Sequence, residues 1–206
     1  MKGYFITFEG MEGCGKSTQT ILLANYFYER KREVLLTREP GGPKISEAIR
    51  DILLNNDNAE MLPETELLLY MASRCQHTGE WILPALAENK IVICDRYNDS
   101  TLAYQGVARD LDRKFIDNIS SFATFNLMPE ITFLIDIPVE IGLGRIDRQK
   151  ADRMESETLE FHKKVRNAYL ELAKMAKARY FVLDGTMSIN DIHSEIIEKL
   201  KKEGIE

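Results

Sequence analysis

With 206 residues, 44% of them hydrophobic and 29% charged, the chain is long enough to bury roughly 70% of its unfolded surface, which excludes reliance on disulfides or structural metal and disorder over most of its length. Lys+Arg of 27 against Asp+Glu of 33 gives a net charge of −6, the wrong sign for a general nucleic-acid binder. Cys14, Cys75 and Cys94 form no C-x-x-C pair, and no apolar stretch approaches the ~18 residues of a membrane span, so a reducing, cytoplasmic setting is expected.

The first apolar run, Tyr4–Phe8, reads as a strand and is too short for a signal-peptide core. It leads into Gly10-Met11-Glu12-Gly13-Cys14-Gly15-Lys16-Ser17, a full match to G-x-x-x-x-G-K-[ST], and then into a helical segment from Thr18 to Tyr28. In this context the glycines let backbone N–H groups converge on phosphate oxygens, and the helix N-terminus adds a favourable dipole. Lys16 supplies a point charge for the β- and γ-phosphates, and Ser17 a hydroxyl for Mg²⁺. The first expected ligand is a nucleoside triphosphate with Mg²⁺. Cys14, inside this loop, is expected to fill space.

A second strand, Val34–Thr37, ends in Thr37-Arg38-Glu39-Pro40-Gly41-Gly42. Pro63 with Glu64 and Glu66 then starts a helix that carries Tyr70 and Arg74 on one face. The third strand, Ile91–Cys94, ends in Asp95-Arg96-Tyr97. In a doubly wound sheet ligands bind outside the carboxyl ends of the strands, where these residues would sit. Asp95 suits water-linked Mg²⁺ or a helix cap; Arg96 suits an acceptor phosphate or a surface ion pair. Arg38 at the same edge points to a second anion. Tyr70, Arg74, Ser100, Thr101, Tyr104 and Gln105 offer stacking and hydrogen-bonding groups suited to a base, and are equally at home in ordinary structural positions.

The fourth strand, Ile131–Ile135, precedes a helix start at Pro138 with Glu140. From Arg145 to Glu155 the chain sets Arg145, Arg148, Lys150 and Arg153 against Asp147, Asp152 and Glu155, a pattern that fits a solvated helix face. A helix from near Glu155 shows an apolar stripe of Phe161, Val165, Ala168, Tyr169 and Leu172. The fifth strand is Tyr180–Leu183, and Ser188 with Asp191 resembles a capping box. The last four strands do not alternate with polar residues, so helices on both faces of a parallel sheet, an α/β fold, are expected. His77, His162 and His193 have no carboxylate or serine partner at motif spacing, so no catalytic histidine is expected.

Phe8-Glu9-Gly10 before the P-loop, Thr37-Arg38-Glu39-Pro40-Gly41-Gly42, Asp95-Arg96-Tyr97 with Ser100-Thr101 and Ala103-Tyr104-Gln105-Gly106, and Asp152-Arg153-Met154-Glu155 together resemble the thymidylate kinase family from about residue 4 to 185. The resemblance implies a P-loop fold with a five-stranded parallel sheet, residues 1–206 as one domain with a lid at about 144–155, and usually a homodimer. It implies phosphoryl transfer from ATP to dTMP. Tyr70 would stack on thymine, Arg74 would bond a thymine carbonyl with Thr101 and Gln105 near the base edge, and Tyr104 would crowd the sugar 2′ position. Ser100 belongs to the same nucleotide site. Arg38 and Arg96 would hold the dTMP phosphate, and Glu12 would face the sugar 3′ hydroxyl or a water-linked Mg²⁺. Gly13 stands where one version of the family has an arginine, so the basic lid matches the bacterial type. There Arg148 and Arg153 would bring charge to the moving phosphoryl group, with Arg145 nearer the adenine. A kinase for another monophosphate such as dUMP, and a P-loop regulatory protein without an acceptor, stay open.

Overall fold

The computed structural model describes residues 2–147 and 149–205. Five strands, β1 (Tyr4–Glu9), β2 (Val34–Arg38), β3 (Ile91–Asp95), β4 (Ile131–Asp136) and β5 (Tyr180–Asp184), form one parallel sheet in the order β2-β3-β1-β4-β5. All five expected strands are present. Each runs one residue further than its expected end, and that residue is charged: Glu9, Arg38, Asp95, Asp136 or Asp184. The ladder needs only backbone groups, so it continues where the side chain already belongs to the crevice.

The helices are α1 (Lys16–Glu29), α2 (Lys44–Leu54), α3 (Pro63–His77), α4 (Leu83–Ala87), α5 (Asn98–Thr101), α6 (Arg113–Ala123), α7 (Val139–Gly144), α8 (Leu159–Met175) and α9 (Ile189–Lys202). Burial follows strand position. β1, β3 and β4 are covered on both faces, but Leu36 on β2 and Val182 on β5 are exposed. The expectation of full cover thus fails for the two edge strands, which have a neighbour on one side only. Ile6, Phe8, Ile93, Phe133 and Ile135 from the central strands pack with Leu23 and Phe27 of α1 and Ile196 of α9. A second cluster joins Leu67 and Met71 of α3, Ile116 of α6 and Val165 and Tyr169 of α8.

Local signals account for most helix ends. Pro63 opens α3 with Glu64 and Glu66 in its first turn. Ser188 accepts from the Asp191 N–H, while Asp191 takes the Ser188 hydroxyl at 2.6 Å in place of the backbone donor of a full capping box. The helix expected from near Glu155 begins four positions later, at Leu159, because Thr158 caps it through the Phe161 N–H at 3.1 Å. Its apolar stripe is buried as expected. Two wide π-helical turns interrupt this regularity. One, Thr78–Ile82, lies just before Pro84, which has no N–H to give a regular helix; the other, Leu102–Ala108, prolongs α5.

Candidate active site

The chain leaves β1 for β2 on one side of the sheet, and later leaves β3 for β4 on the other side of β1. The carboxyl ends of β1 and β3 therefore meet at the switch point, where an open cleft lies. Glu12, Gly13, Lys16 and Ser17 from the phosphate loop line it, together with Arg38, Asp95 and Arg96 and with Tyr70, Arg74, Ser100, Thr101, Tyr104 and Gln105. All nine residues expected at the acceptor nucleotide thus share one cavity.

The phosphate loop is tightly packed. Gly10 has φ 137°, and a Cβ there would lie 2.6 Å from the Ile135 carbonyl. Gly13 has φ 69°, and a Cβ there would overlap the Gly142 carbonyl of α7. Lys16 is buried and folds back to donate to the carbonyls of Gly10 at 3.1 Å and Met11 at 2.8 Å, beside Cys14 Sγ at 3.5 Å. Cys14 is buried, as a space-filler should be. Gly15 and the exposed Thr18 bracket the start of α1 without lining the cleft.

Ser17 Oγ donates to Asp95 Oδ2 at 2.6 Å, so the two oxygens expected at Mg²⁺ are already together. Among the described residues no cluster of three or more His, Cys, Asp or Glu could hold a metal. One hydroxyl and one carboxylate fit an ion that keeps waters and takes its remaining ligands from nucleotide phosphates.

Arg96 is the hub of the cleft. Its backbone is left-handed at φ 70°, unusual outside glycine, which marks a turn held by its surroundings. Its guanidinium donates to Gly10 O at 2.9 Å, Tyr169 Oη at 3.1 Å and Glu12 Oε1 at 3.0 Å. Tyr104 donates to the same Glu12 oxygen at 2.6 Å. Burial alone would push the Glu12 carboxyl up, but the charge of Arg96, the nearby His162 ring, the charge of Lys16 and a hydrogen bond from Tyr104 bring it down to about 2. Glu12 is therefore a fixed anion.

Beneath Arg96 lies a second carboxylate. Glu9 is fully buried and accepts from the Tyr97 N–H at 2.8 Å, Ser100 Oγ at 2.7 Å and Tyr169 Oη at 2.9 Å. Burial and the charge of Asp99 raise its pKa from 4.5 to about 7, against Ser100, Arg96 and Tyr97. The folded protein then keeps a proton that the unfolded chain releases, so the Glu9 contribution to stability is full below 4.5 and declines as pH rises to about 7. Glu9→Gln should flatten that decline in urea unfolding measured at about pH 5 and about pH 7. An unchanged slope would remove Glu9 as its source.

Arg74 lines the cleft and is buried, with Nε on Glu39 Oε2 at 2.6 Å, one Nη on Thr101 Oγ1 at 2.7 Å and the other on the Tyr97 carbonyl at 2.9 Å. Glu39 Oε1 takes His77 Nδ1 at 2.9 Å, and His77 Nε2 meets Thr37 Oγ1 at 2.8 Å. Arg38 is half-exposed and paired with Glu47 at 3.0 Å. The π turn after α5 sets Tyr104 and Gln105 into the wall, where Gln105 donates to Glu66 at 2.8 Å.

Several residues depart from expectation or were not foreseen. Arg153 does not line the cleft: its Nε donates to the Leu53 carbonyl at 2.8 Å and its Nη1 pairs with buried Glu66 at 2.7 Å. Glu66 also takes Arg109, so Arg153 anchors the base of the lid to α2 and α3, and its expected role at the phosphoryl group is withdrawn. Arg145 donates to the Gly13 carbonyl at 3.1 Å, at the rim of the phosphate loop. Arg148 lies outside the described residues. Two histidines read as scattered have carboxylate neighbours, His77 at Glu39 and His162 at Glu12. Arg50, with no motif to mark it, also lines the cleft and is held by the Pro40 carbonyl at 2.7 Å; burial and Arg38 lower its pKa. Glu39 stood in a quoted run whose arginine drew the attention.

A Walker-type loop and a magnesium-compatible hydroxyl and carboxylate, sharing one cleft with arginines and aromatic groups, define a P-loop phosphotransferase that accepts a nucleotide-like second substrate. A thymidylate kinase family model matches residues 8–196. The chain is 48% identical over 201 residues to a thymidylate kinase of Geotalea uraniireducens, covering 94% of each, and 47% identical over 203 residues to that of Sulfurihydrogenibium sp., covering 98% of this chain and 99% of the relative. The crystal structure of thymidylate kinase from Ehrlichia chaffeensis superposes with a TM-score of 0.82 at 35% identity, over 97% of this chain and all of that one. The chain belongs to the thymidylate kinase family.

Proposed function

We propose that the protein transfers the γ-phosphoryl group of ATP to dTMP, giving ADP and dTDP. The observation that carries this reading is the single cleft lined both by Lys16 and Ser17 and by Arg38, Arg96, Arg74, Tyr70 and Tyr104. Arg96 and Arg38 grip the acceptor phosphate as forks matched to its oxygens. Tyr70 stacks on the base, Arg74 bonds its carbonyl edge, Thr101 and Gln105 flank it, and Tyr104 lies along the sugar. Lys16 neutralises charge on the transferred group while the cleft excludes water. Mg²⁺, which supplies further neutralisation when bound, would be held by Ser17 and Asp95.

ADP release with Mg-ATP should rise far above a no-acceptor control with dTMP, less with dUMP, and hardly with UMP, CMP, AMP or GMP. Preference for another monophosphate would overturn the base contacts, and no stimulation by any would overturn the kinase reading. Homodimerisation is part of the proposal. Leu68 on α3, Phe115 and Phe122 on α6 and the following Phe125 are all more than half exposed, an apolar set that fits a second copy. Light scattering that returns the monomer mass would contradict it. Among the described residues no helix is long and apolar enough to cross a membrane.

A further inference from the structure

His162 is fully buried in the first turns of α8, the helix that follows the lid segment. Its Nδ1 lies 3.3 Å from Glu12 Oε2, within ion-pair reach. Neither ring nitrogen, nor Glu12 Oε2, has a hydrogen bond of good geometry, and all three atoms are shielded from solvent. Desolvating an imidazole and leaving both nitrogens without a well-formed bond destabilises the fold, and an apolar ring of the same shape would avoid that cost. The other Glu12 oxygen is fully engaged by Tyr104 and Arg96. His162 is thus the neighbour on the free side of a carboxylate whose opposite side holds the guanidinium proposed to grip the acceptor phosphate.

We infer that His162 is a positioning residue that fixes the Glu12 carboxylate from behind, and through it the aim of Arg96 at the acceptor phosphate. The path is His162 Nδ1 to Glu12 Oε2, across the carboxylate to Oε1, and on to the Arg96 guanidinium. Without the imidazole, Glu12 is free to turn about its last torsion, and Arg96 loses a fixed partner. His162 lies in the first turn of α8, the helix that follows the lid segment. The inference rests on the function proposed above, and its test separates the two.

The test is calorimetric binding of dTMP and of thymidine, which lacks the phosphate, to the wild-type protein, His162→Phe and His162→Gln. Phenylalanine keeps the ring and removes the nitrogens; glutamine keeps an N–H that can face Glu12. His162→Phe should weaken dTMP about tenfold, the factor expected for a misdirected hydrogen bond to a charged group, and leave thymidine within about twofold. His162→Gln should recover most of the loss, and His162→Phe should add little in a Glu12→Gln background. Equal weakening of dTMP and thymidine, or none, would overturn the positioning role and leave the kinase reading intact. A wild-type protein that binds dTMP no better than thymidine would overturn the phosphate site itself. Thermal unfolding of each variant separates misfolding from misdirection, and glutamine provides a folded second variant if phenylalanine does not.

Discussion

Lys16→Met should lower kcat at least about a thousandfold, equivalent to roughly 4 kcal/mol of transition-state stabilisation, while leaving dTMP binding within about threefold. Among the described residues, Lys16 is a buried ammonium whose hydrogen-bond partners are the two loop carbonyls of Gly10 and Met11 and the Cys14 sulfur. Those partners do not neutralise it, so its charge is available to phosphate oxygens once a nucleotide displaces the contacts. Methionine matches its length and suits a buried position, which keeps the structural disturbance small. The acceptor groups Arg74, Thr101 and Tyr70 line the same cleft without hydrogen-bonding Lys16, whose bonds go to the loop. Single-turnover kinetics together with dTMP calorimetry would check this. A kcat within tenfold of wild type would take Lys16 out of the chemistry.

The largest effect on stability is expected at Glu39. Glu39 and Arg74 are a buried ion pair, with side chains 3% and 2% exposed. Glu39→Gln removes the charge and leaves the guanidinium in the interior, a change that costs about 3–5 kcal/mol and should lower Tm by about 6–20 °C for a chain of this size. The double substitution Glu39→Leu with Arg74→Met replaces both charges by apolar groups and should restore much of that stability. It should also abolish tight dTMP binding, because Arg74 lines the cleft. Recovery of stability without loss of binding would show that Arg74 serves the fold alone. Burial would raise the Glu39 pKa, but Arg74 and His77 hold it below 4.5. Its stabilisation is therefore full above the ordinary carboxylate range and is lost as pH falls below it.

Much of this architecture was legible because its signals are local. The phosphate loop is contiguous, and the five strands are short apolar runs whose ends were misjudged by one residue, each time at a charge. The start of α8 was misread because an acidic stretch after the lid resembles a first turn, whereas Thr158 supplies the cap. What escaped was pairing across sequence distance. Glu39 and His77 are 38 positions apart, and nothing in either segment marks the other as its partner. Arg153 was assigned to chemistry for its charge and its place in the lid, but a buried carboxylate on α3, already bonded to Gln105 and Arg109, claims it. Charge in a sequence shows that a partner is needed; only the fold shows whether that partner is a substrate.

The contact between Gly13 and α7 limits how this enzyme can change. A side chain at position 13 would overlap the Gly142 carbonyl, and one at position 142 would come within 2.6 Å of the Glu12 carbonyl, so each glycine is held in place by the other. An arginine inside the phosphate loop therefore lies beyond the reach of a single substitution; α7 would first have to withdraw, together with the lid that follows it. A chain with this packing can acquire cationic help for the reaction by altering the lid more readily than the loop.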